Sequence, residues 1–565
     1  MCGITLVLTA DEPQNELPGW PKVIELLSRR GPDVQSCHEL DIPGTKWHIS
    51  GRASTLWTQG HRPTEQPIVA ESGSFLLWNG DSYSNEPTGE TSDSEMILTL
   101  FEERGSPLNV LPSIRGPYSF VYYDSKTRSI WFGRDPIGRC SLLMHKTEVR
   151  LVLGSVFPKC LEAQEVSSCG LFHMTFTAST YETTIYPWSD TKSGPLLDFV
   201  TRSTDSLRHK ILDRNIRPDW LEKEPDVEEV YSNEKKALAQ SSSVEILKAI
   251  YEKKNISNMV DDLAEVLRDS VRLRVKTKPT CCKRCEPEPG IECLHSKIAV
   301  LFSGGLDSTI LALMAHQVLE PLETIDLLNV AFKKRNSKAS DAPDRLTGHL
   351  AIEELRQIAP ERKWNFVEIT IGESEVDEQI GHIADLIHPL ASVLDESLGC
   401  ALWFASRGCG LLGSDAYCSP ARIVLVGMGA DELFGGYSRH AALFRRAAPW
   451  LELSRSLQEE LQNIGFRNLG RDNRIISDHG RMMRAPFLDE AFVTHVSRLP
   501  PWLRCCPDSI LPRGVGDKTL LRMVALSLGL RGTAVQPKRA MQFGTRIANP
   551  KQKGHQVSVK LKDTI

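Results

Sequence analysis

The sequence predicts two domains of different class: a mixed α+β domain over residues 1–190 and an α/β domain with a parallel sheet over 258–550. Three observations predict this. The first 190 residues carry short apolar or aromatic runs bounded by Gly, Pro, Asp or Ser, which is how strands joined by turns read. From Lys297 onward, apolar runs near 298–302, 326–332, 365–369 and 423–426 alternate with helical periodicity, which implies a parallel sheet covered on both faces. A chain of 565 residues also exceeds what one hydrophobic core serves.

In chain order, strands are expected at 4–8, 75–78, 118–123, 130–132 and 149–153, with helical periodicity at 20–27 and 95–101. Residues 191–257 turn polar and charged and read as a linker with a surface helix. Met259, Leu263, Val266, Leu267 and Val271 then make 258–275 an amphipathic helix. A cysteine-bearing insert occupies 276–296, the last ~115 residues read as mostly helical, and 551–565 is a polar tail. No internal repeat is present.

Composition narrows the function classes. A content of 41% hydrophobic and 25% charged residues is ordinary for a globular protein. A net charge of -5 and pI ≈ 6.3 give no electrostatic reason to expect nucleic acid or a membrane as partner. No apolar run approaches the ~20 residues of a membrane span, and no basic flank precedes the apolar run 4–8, so no signal peptide is expected. The 14 cysteines are scattered rather than framed as disulfides, which suits a reducing cytoplasm. Oligomeric state is left open, homo-oligomer included.

Two segments carry chemistry. Cys2 follows the initiator methionine; with Met1 removed it has a thiol beside a free α-amine, a base of pKa near ~8 for its own side chain. A buried strand cysteine is the alternative reading. Arg29-Arg30-Gly31-Pro32-Asp33 sets paired cations beside a turn. Asn79-Gly80-Asp81 offers an amide, a flexible backbone and a carboxylate, and Asp93 begins a helix, where it also suits an N-cap. A free amino acid needs an acceptor for its amine and a cation for its carboxylate, and this set supplies both. Farther on, Ser303-Gly304-Gly305-Leu306-Asp307-Ser308 lies between a buried strand and a helix. Its glycines let backbone approach an anion at the helix N-terminus, its serines donate, and Asp307 can hold Mg²⁺ bridging phosphate oxygens. No Gly-Lys-Ser/Thr follows, so this is not a Walker A loop. Gly427-Met428-Gly429-Ala430-Asp431-Glu432 repeats the arrangement, with Asp431 as a second metal ligand or a helix-start charge.

Residues 1–190 resemble class II glutamine amidotransferase domains through MCGI, RRGPD, NGDSYS, TSDSE and Arg134-Asp135-Pro136-Ile137-Gly138. The resemblance implies an N-terminal-nucleophile sandwich of αββα layers. It makes Cys2 the nucleophile, with Asn79 and Gly80 at the oxyanion, Asp81 and Asp93 near the glutamine amine, and Arg52 (Arg62 its rival) for the substrate carboxylate. Two positions depart from the family: Asp81 stands for its glutamate and Ser84 for its asparagine.

Residues 258–550 resemble the ATP-pyrophosphatase domain of asparagine synthetases through SGGLDS, GMGADELFGGY, Arg484-Ala485-Pro486-Phe487-Leu488-Asp489 and Pro537-Lys538-Arg539-Ala540-Met541-Gln542-Phe543-Gly544. The match is nearest to the branch called asparagine synthetase domain-containing proteins. This implies adenine contacts from Leu301, Val330 and Gly427, and Lys538 as the cation of the late step; as a residue, Lys538 also reads as an ordinary surface lysine. The implied reaction releases ammonia from glutamine at Cys2, activates the aspartate side chain with MgATP, and displaces AMP to give asparagine. Met428 and Met482 stand where the family carries glutamates, so a carboxylate that would assist ammonia attack is missing. A related ligase acting on another carboxylate, and a degenerate synthetase kept as a nucleotide-binding or interaction protein, are the alternatives. In the insert, Cys282, Cys285, Cys293 and His295 have ligand chemistry for tetrahedral zinc, while the acidic, proline-rich residues 286–290 suit a solvated loop.

Overall fold

A computed structural model describes residues 2–10, 17, 19–83, 92–188, 200–212, 241–285, 293–334, 338–444, 449–507, 511–512, 514–548 and 553–563. Ser84, residues 213–240 of the linker, 286–292 of the insert and the ends of the tail lie outside the described residues.

The N-terminal domain is a sandwich of two sheets with a helix on each outer face. The first sheet runs, edge to edge, Gln164–Glu165, Leu143–Lys146, Arg150–Gly154, Gly3–Thr9, His48–Thr55, Val34–Asp41. The second runs Val200–Arg202, Tyr181–Pro187, Gly170–Phe176, Ser129–Arg134, Tyr118–Asp124, Phe75–Gly80, Ile68–Val69. Strand alternation sorts the side chains. Phe75 and Leu77 point inward with Ile4, Leu6 and Leu8, whereas Leu76 and Trp78 point outward under helix Asp93–Arg104 and its Ile97, Leu98 and Phe101. Helix Trp20–Arg30 covers the first sheet through Val23, Leu26 and Leu27. The αββα order expected from the resemblance is present.

The C-terminal domain is built on a seven-stranded sheet in the order Asp415–Cys418, Cys409–Leu412, Trp364–Ile371, Ile325–Phe332, Ile298–Leu301, Ile423–Leu425, Met482–Arg484. The last five are parallel and almost wholly apolar, as burial on both faces requires. The antiparallel edge hairpin Cys409–Leu412/Asp415–Cys418, which carries a Cys409–Cys418 disulfide, has no counterpart in the sequence reading. Both ends of the expected linker belong to domains: Val200–Arg202 joins the second N-terminal sheet, and helix Ser243–Tyr251 packs on helices Lys254–Lys276 and Thr519–Ser527. The expected tail docks too, with Val393 N–H donating to the Gln556 carbonyl and Lys560 paired to Asp377. No helix among the described residues is long and apolar enough to cross a membrane.

The domains meet across arginine–carboxylate pairs. Arg29, Arg115 and Arg139 of the first domain reach Asp478, Asp489 and Glu490 of the second; Arg422, Arg474 and Arg484 of the second reach Asp33, Glu165 and Asp81 of the first. Three are bidentate: Arg29 to Asp478 at 2.8 and 2.8 Å, Arg115 to Asp489 at 2.9 and 2.6 Å, and Arg484 to Asp81 at 2.7 and 3.0 Å. The Arg134-Asp135-Pro136-Ile137-Gly138 motif builds one side of this seam. The Asp135 carboxylate accepts the N–H groups of Ile137, Gly138 and Arg139 at 3.0, 3.1 and 2.9 Å, which fixes the turn that aims Arg139 at Glu490 and, at 2.8 Å, at the Leu488 carbonyl.

Burial pushes the Asp489 carboxyl up, but Arg274 and Arg115 more than reverse this and hold it at about 2. An unfolded carboxyl titrates near ~3.9, so the unfolded chain takes up a proton first as pH falls. The seam's contribution is therefore complete above about pH 4 and is lost as pH falls through about 2. Chemical unfolding followed by tryptophan fluorescence at pH 7, 4 and 3 is expected to show a steep fall in midpoint below pH 4. Asp489→Ala, which strands two arginines, is expected to cost about 3–5 kcal/mol at pH 7; a midpoint unchanged at pH 3 would count against the seam.

Candidate functional site

Cys2 immediately precedes the central strand Gly3–Thr9, between the two sheets, and is 7% exposed. Its pocket is lined by Thr55, Leu56, Trp57, Thr58, Gln59, Thr64, Gln66, Trp78, Gly80, Ser92, Asp93 and Ser94. Burial raises the thiol above its ordinary value, and the N-terminal charge, the Leu56 N–H and the Thr55 hydroxyl oppose that rise. Gln66 is aimed at the thiol: Trp78 N–H donates to its Oε1 at 2.7 Å, which turns its Nε2 toward Cys2 Sγ at 3.6 Å. No motif singles out Gln66; only its place before Pro67, ahead of the Phe75–Gly80 strand, marks it.

Gly80 lines this pocket at the end of its strand, where a Cβ would lie 2.2 Å from the Pro117 carbonyl oxygen, so no larger residue fits. Asn79 is fully buried, donates to Ser119 Oγ at 3.2 Å, and keeps an Oδ1 without a hydrogen-bond partner. Asp93 is the first residue of helix Asp93–Arg104, but the cap is Ser92, which with Glu95 forms a capping box. That leaves the Asp93 carboxylate free to face the pocket, where it accepts from Trp78 Nε1 and Ser82 N–H, each at 3.2 Å. Burial and the neighbouring Asp81 push its carboxyl up to about 7.

Asp81 is engaged in the seam. Its two oxygens take Arg484 Nε at 2.7 Å and Nη2 at 3.0 Å, and Tyr83 hydroxyl donates to it at 2.9 Å. Burial pushes its carboxyl up, and Arg484 and Gln59 more than offset that and hold it below its ordinary value. Gln59 Nε2 stands between the two carboxylates, 2.8 Å from Asp81 and 3.5 Å from Asp93, so a carboxamide of the protein bridges them. Arg52 pairs in register with Thr5 and Cys37, three residues before Thr55, and is not among the pocket's lining residues; Arg62 is exposed on the loop that follows. Arg29 and Arg30 face the other domain, Arg30 donating to Asn473 at 3.0 Å. Asp33 holds the pocket loop, accepting Trp57 N–H at 2.7 Å while paired to Arg422.

The second cluster lies at the carboxyl ends of the parallel strands, where ligands bind in such sheets. Leu301, Val330 and Gly427 sit at or just past the ends of three adjacent strands. Gly304 has φ 73° and packs so closely on helix Pro343–Ile358 at Thr347 and Gly348 that a Cβ would lie 2.4 Å from that backbone. Gly305 N–H donates to Ser303 Oγ at 3.2 Å, and Ser308 Oγ to the Gly305 carbonyl at 3.2 Å, which fixes the loop ahead of helix Leu306–Val318. Asp307 and Asp431 converge on one cation, Lys518 Nζ, at 2.6 Å each, and Lys538 pairs with Asp431 at 2.5 Å. Burial pushes Asp431 up, and the two ammonium groups hold it well below the usual carboxylate range.

Lys518 was not singled out in the sequence. Its side chain is 2% exposed, at φ 54° ahead of helix Thr519–Ser527, and it meets Asp307 across 211 residues of chain, a proximity only the fold creates. Asp344, also missed, is buried within the field of Arg539 and Lys538, and burial raises it to about 7. Met428 is half-buried beside Gly427, whereas Met482 is fully buried in the strand paired with Ile423.

Residues 1–186 match the family model described as glutamine amidotransferase domain, and residues 295–470 match the one described as asparagine synthase. The chain is 35% identical over 581 residues to an asparagine synthetase domain-containing protein of Drosophila melanogaster, covering 98% of this chain and 99% of that one. It is 33% identical over 640 residues to asparagine synthetase domain-containing protein 1 of Homo sapiens, covering 97% and 95%. A relative of the same description in Saccharomyces cerevisiae is 29% identical over 563 residues, covering 96% and 91%.

The raised carboxyl of Asp93 has a stability consequence. The unfolded group ionises near ~3.9 and the folded one at about 7, so the folded state loses stability as pH rises between these values. Asp93→Asn is therefore expected to be more stable than the native chain at pH 8. Because Asp93 keeps some solvent contact, the gain is about 2 kcal/mol, roughly half of what the full shift would give. The gap should close toward pH 4. Thermal unfolding of both proteins at pH 8 and pH 5 measures it, and equal stability at pH 8 would contradict the assignment.

Proposed function

This chain belongs to the family of asparagine synthetase domain-containing proteins, and from that premise we propose that it is a glutamine-dependent, ATP-driven amidoligase that makes asparagine from aspartate. The observation that carries this reading is the convergence of Asp307, Asp431, Lys518 and Lys538 beside the Ser303–Ser308 loop, in the same chain as a buried N-terminal cysteine with its own pocket.

In this reading the Cys2 thiol adds to the side-chain carboxamide carbon of glutamine and its proton passes to the α-amine freed by methionine removal. That amine returns the proton to the departing ammonia, and water releases glutamate from the thioester. Gly80 lines the pocket at the end of its strand and Asn79 precedes it, outside the lining residues; in this reading N–H donors at this strand end stabilise the oxyanion. Asp93, once ionised, accepts the substrate ammonium, and Gln59 gives up its position between the carboxylates.

At the second cluster, the loop backbone and Ser303 and Ser308 hold the pyrophosphate end of ATP. Asp307 and Asp431 would hold Mg²⁺, since these two carboxylates already share one cation, and the ion would supply neutralising charge to the phosphates. Lys518 and Lys538 then turn from carboxylate to phosphate. The aspartate side-chain carboxylate attacks the α-phosphorus, pyrophosphate leaves, and ammonia displaces AMP.

One observation favours a second reading, in which the chain binds ATP and hydrolyses glutamine without amidating aspartate: Met428, beside Gly427, brings no carboxylate to the site. The two separate by product analysis of the purified chain with aspartate and MgATP. Equal amounts of asparagine, AMP and pyrophosphate are expected with either glutamine or ammonium. Cys2→Ala should lower the glutamine-driven rate by at least ~10²-fold and leave the ammonium-driven rate within about twofold, whereas Lys518→Met should abolish both. Glutamate without asparagine in either condition would sink the synthetase reading.

A further inference from the structure

The insert between helix Lys254–Lys276 and strand Ile298–Leu301 takes no part in either cluster, yet it gathers the strongest metal-ligand chemistry among the described residues. Cys282 and Cys285 lie on a turn before residues 286–292, and Cys293 and His295 follow them; one donor atom from each of the four lies within 4.8 Å of all the others. Cys285 Sγ is 3.3 Å from His295 Nδ1. Cys282 N–H donates to Cys293 Sγ at 3.1 Å and Arg284 N–H to Cys282 Sγ at 3.4 Å, the backbone bonds that steady a negatively charged sulfur.

We propose that Cys282, Cys285, Cys293 and His295 bind one zinc ion as a closed structural site. Zinc takes sulfur at about 2.3 Å and imidazole nitrogen at about 2.0 Å in a tetrahedron, which places neighbouring donors roughly 3.3–3.8 Å apart. The donors observed need to contract by at most about 1.5 Å to reach that geometry. Three sulfurs and one imidazole select zinc over the oxygen-seeking magnesium and calcium. With four protein ligands no position is open for substrate, so the site braces the fold and does no chemistry.

What it braces follows from the residues between the first two ligands. Lys283 N–H donates to the Pro420 carbonyl at 3.0 Å, Lys283 Nζ donates to the His479 carbonyl at 3.2 Å, and Arg284 donates to the Cys418 carbonyl. His479 follows Asp478, the carboxylate that receives Arg29 from the other domain together with His382 and Trp403 Nε1. The metal would thus fix the turn whose two cations tie the edge hairpin and the Asp478–His479 corner of the seam to the strand that leads into the Ser303–Ser308 loop.

The test uses the full chain, expressed with added zinc and purified under reducing conditions without chelator. Elemental analysis is expected to find about one zinc per chain, and a Cys285→Ser/Cys293→Ser double variant less than about a fifth of that. Cys37→Ser, at an exposed strand cysteine elsewhere, should keep its zinc. Cobalt substituted into the native chain should give a tetrahedral d–d spectrum with a thiolate charge-transfer band, a readout that needs no variant to fold. A native chain that holds no stoichiometric zinc, undiminished zinc in the double variant, or an octahedral cobalt spectrum would each overturn the proposal.

Discussion

Arg484 and Asp81 are the constraint on which the rest of the molecule depends. Both side chains are completely buried, and a guanidinium and a carboxylate taken out of water are tolerable only when each has the other. Asp81 follows the strand Phe75–Gly80 that supplies the Cys2 pocket, and Arg484 ends an edge strand of the sheet that carries the Ser303–Ser308 loop, so neither domain can keep its own buried charge without the other. Tyr83 completes the unit, donating to Asp81 while Arg274 and Arg484 lie 4.9 and 5.8 Å over its ring. The remaining seam pairs repeat this logic with arginines offered from both sides.

This commitment redistributes the work of the first cluster. A carboxylate one methylene shorter than glutamate stays close to its own strand, and its charge is committed to Arg484. Asp93 becomes the carboxylate with capacity to spare, and its neighbour's negative charge is part of what raises it to about 7. Destabilised groups of this kind collect at functional sites because selection there favours reactivity over stability. Cys2 fits the same pattern, with burial raising its thiol and the chain's own amine and hydrogen bonds opposing that rise.

Much of this was legible from one sequence, and what was not has identifiable causes. Strands with apolar runs were placed within a residue or two, since their pattern is local: the run read at 326–332 is the strand Ile325–Phe332. The short edge hairpin Cys409–Leu412/Asp415–Cys418 escaped because its strands are partly exposed and mixed in character. Motif residues were found, but their tasks were partly misassigned. Arg29 and Arg30 look like a cation pair for a substrate carboxylate, whereas they answer Asp478 and Asn473, residues more than 440 positions away. Lys518 escaped for the same reason: a lysine near a helix start is unremarkable until folding sets it between Asp307 and Asp431.

The two methionines that replace family glutamates are not equivalent. Met482 has no exposed surface and pairs in register with Ile423 in a parallel strand, so an apolar side chain there satisfies packing, and a carboxylate would need a buried cation to accompany it. Met428 is different. It is half-buried, follows Gly427 directly, and stands two residues from the Ala430–Phe434 helix that presents Asp431. A glutamate at that point would bring a further negative charge to the turn before Asp431 and Glu432, whereas the methionine packs against the apolar core. Asp307 and Asp431 are matched by Lys518 and Lys538, and this pairing is what lets Lys518 lie 2% exposed between the carboxylates. The replacement at 428 therefore bears on the charge of the nucleotide site itself, and the one at 482 on the sheet beneath it.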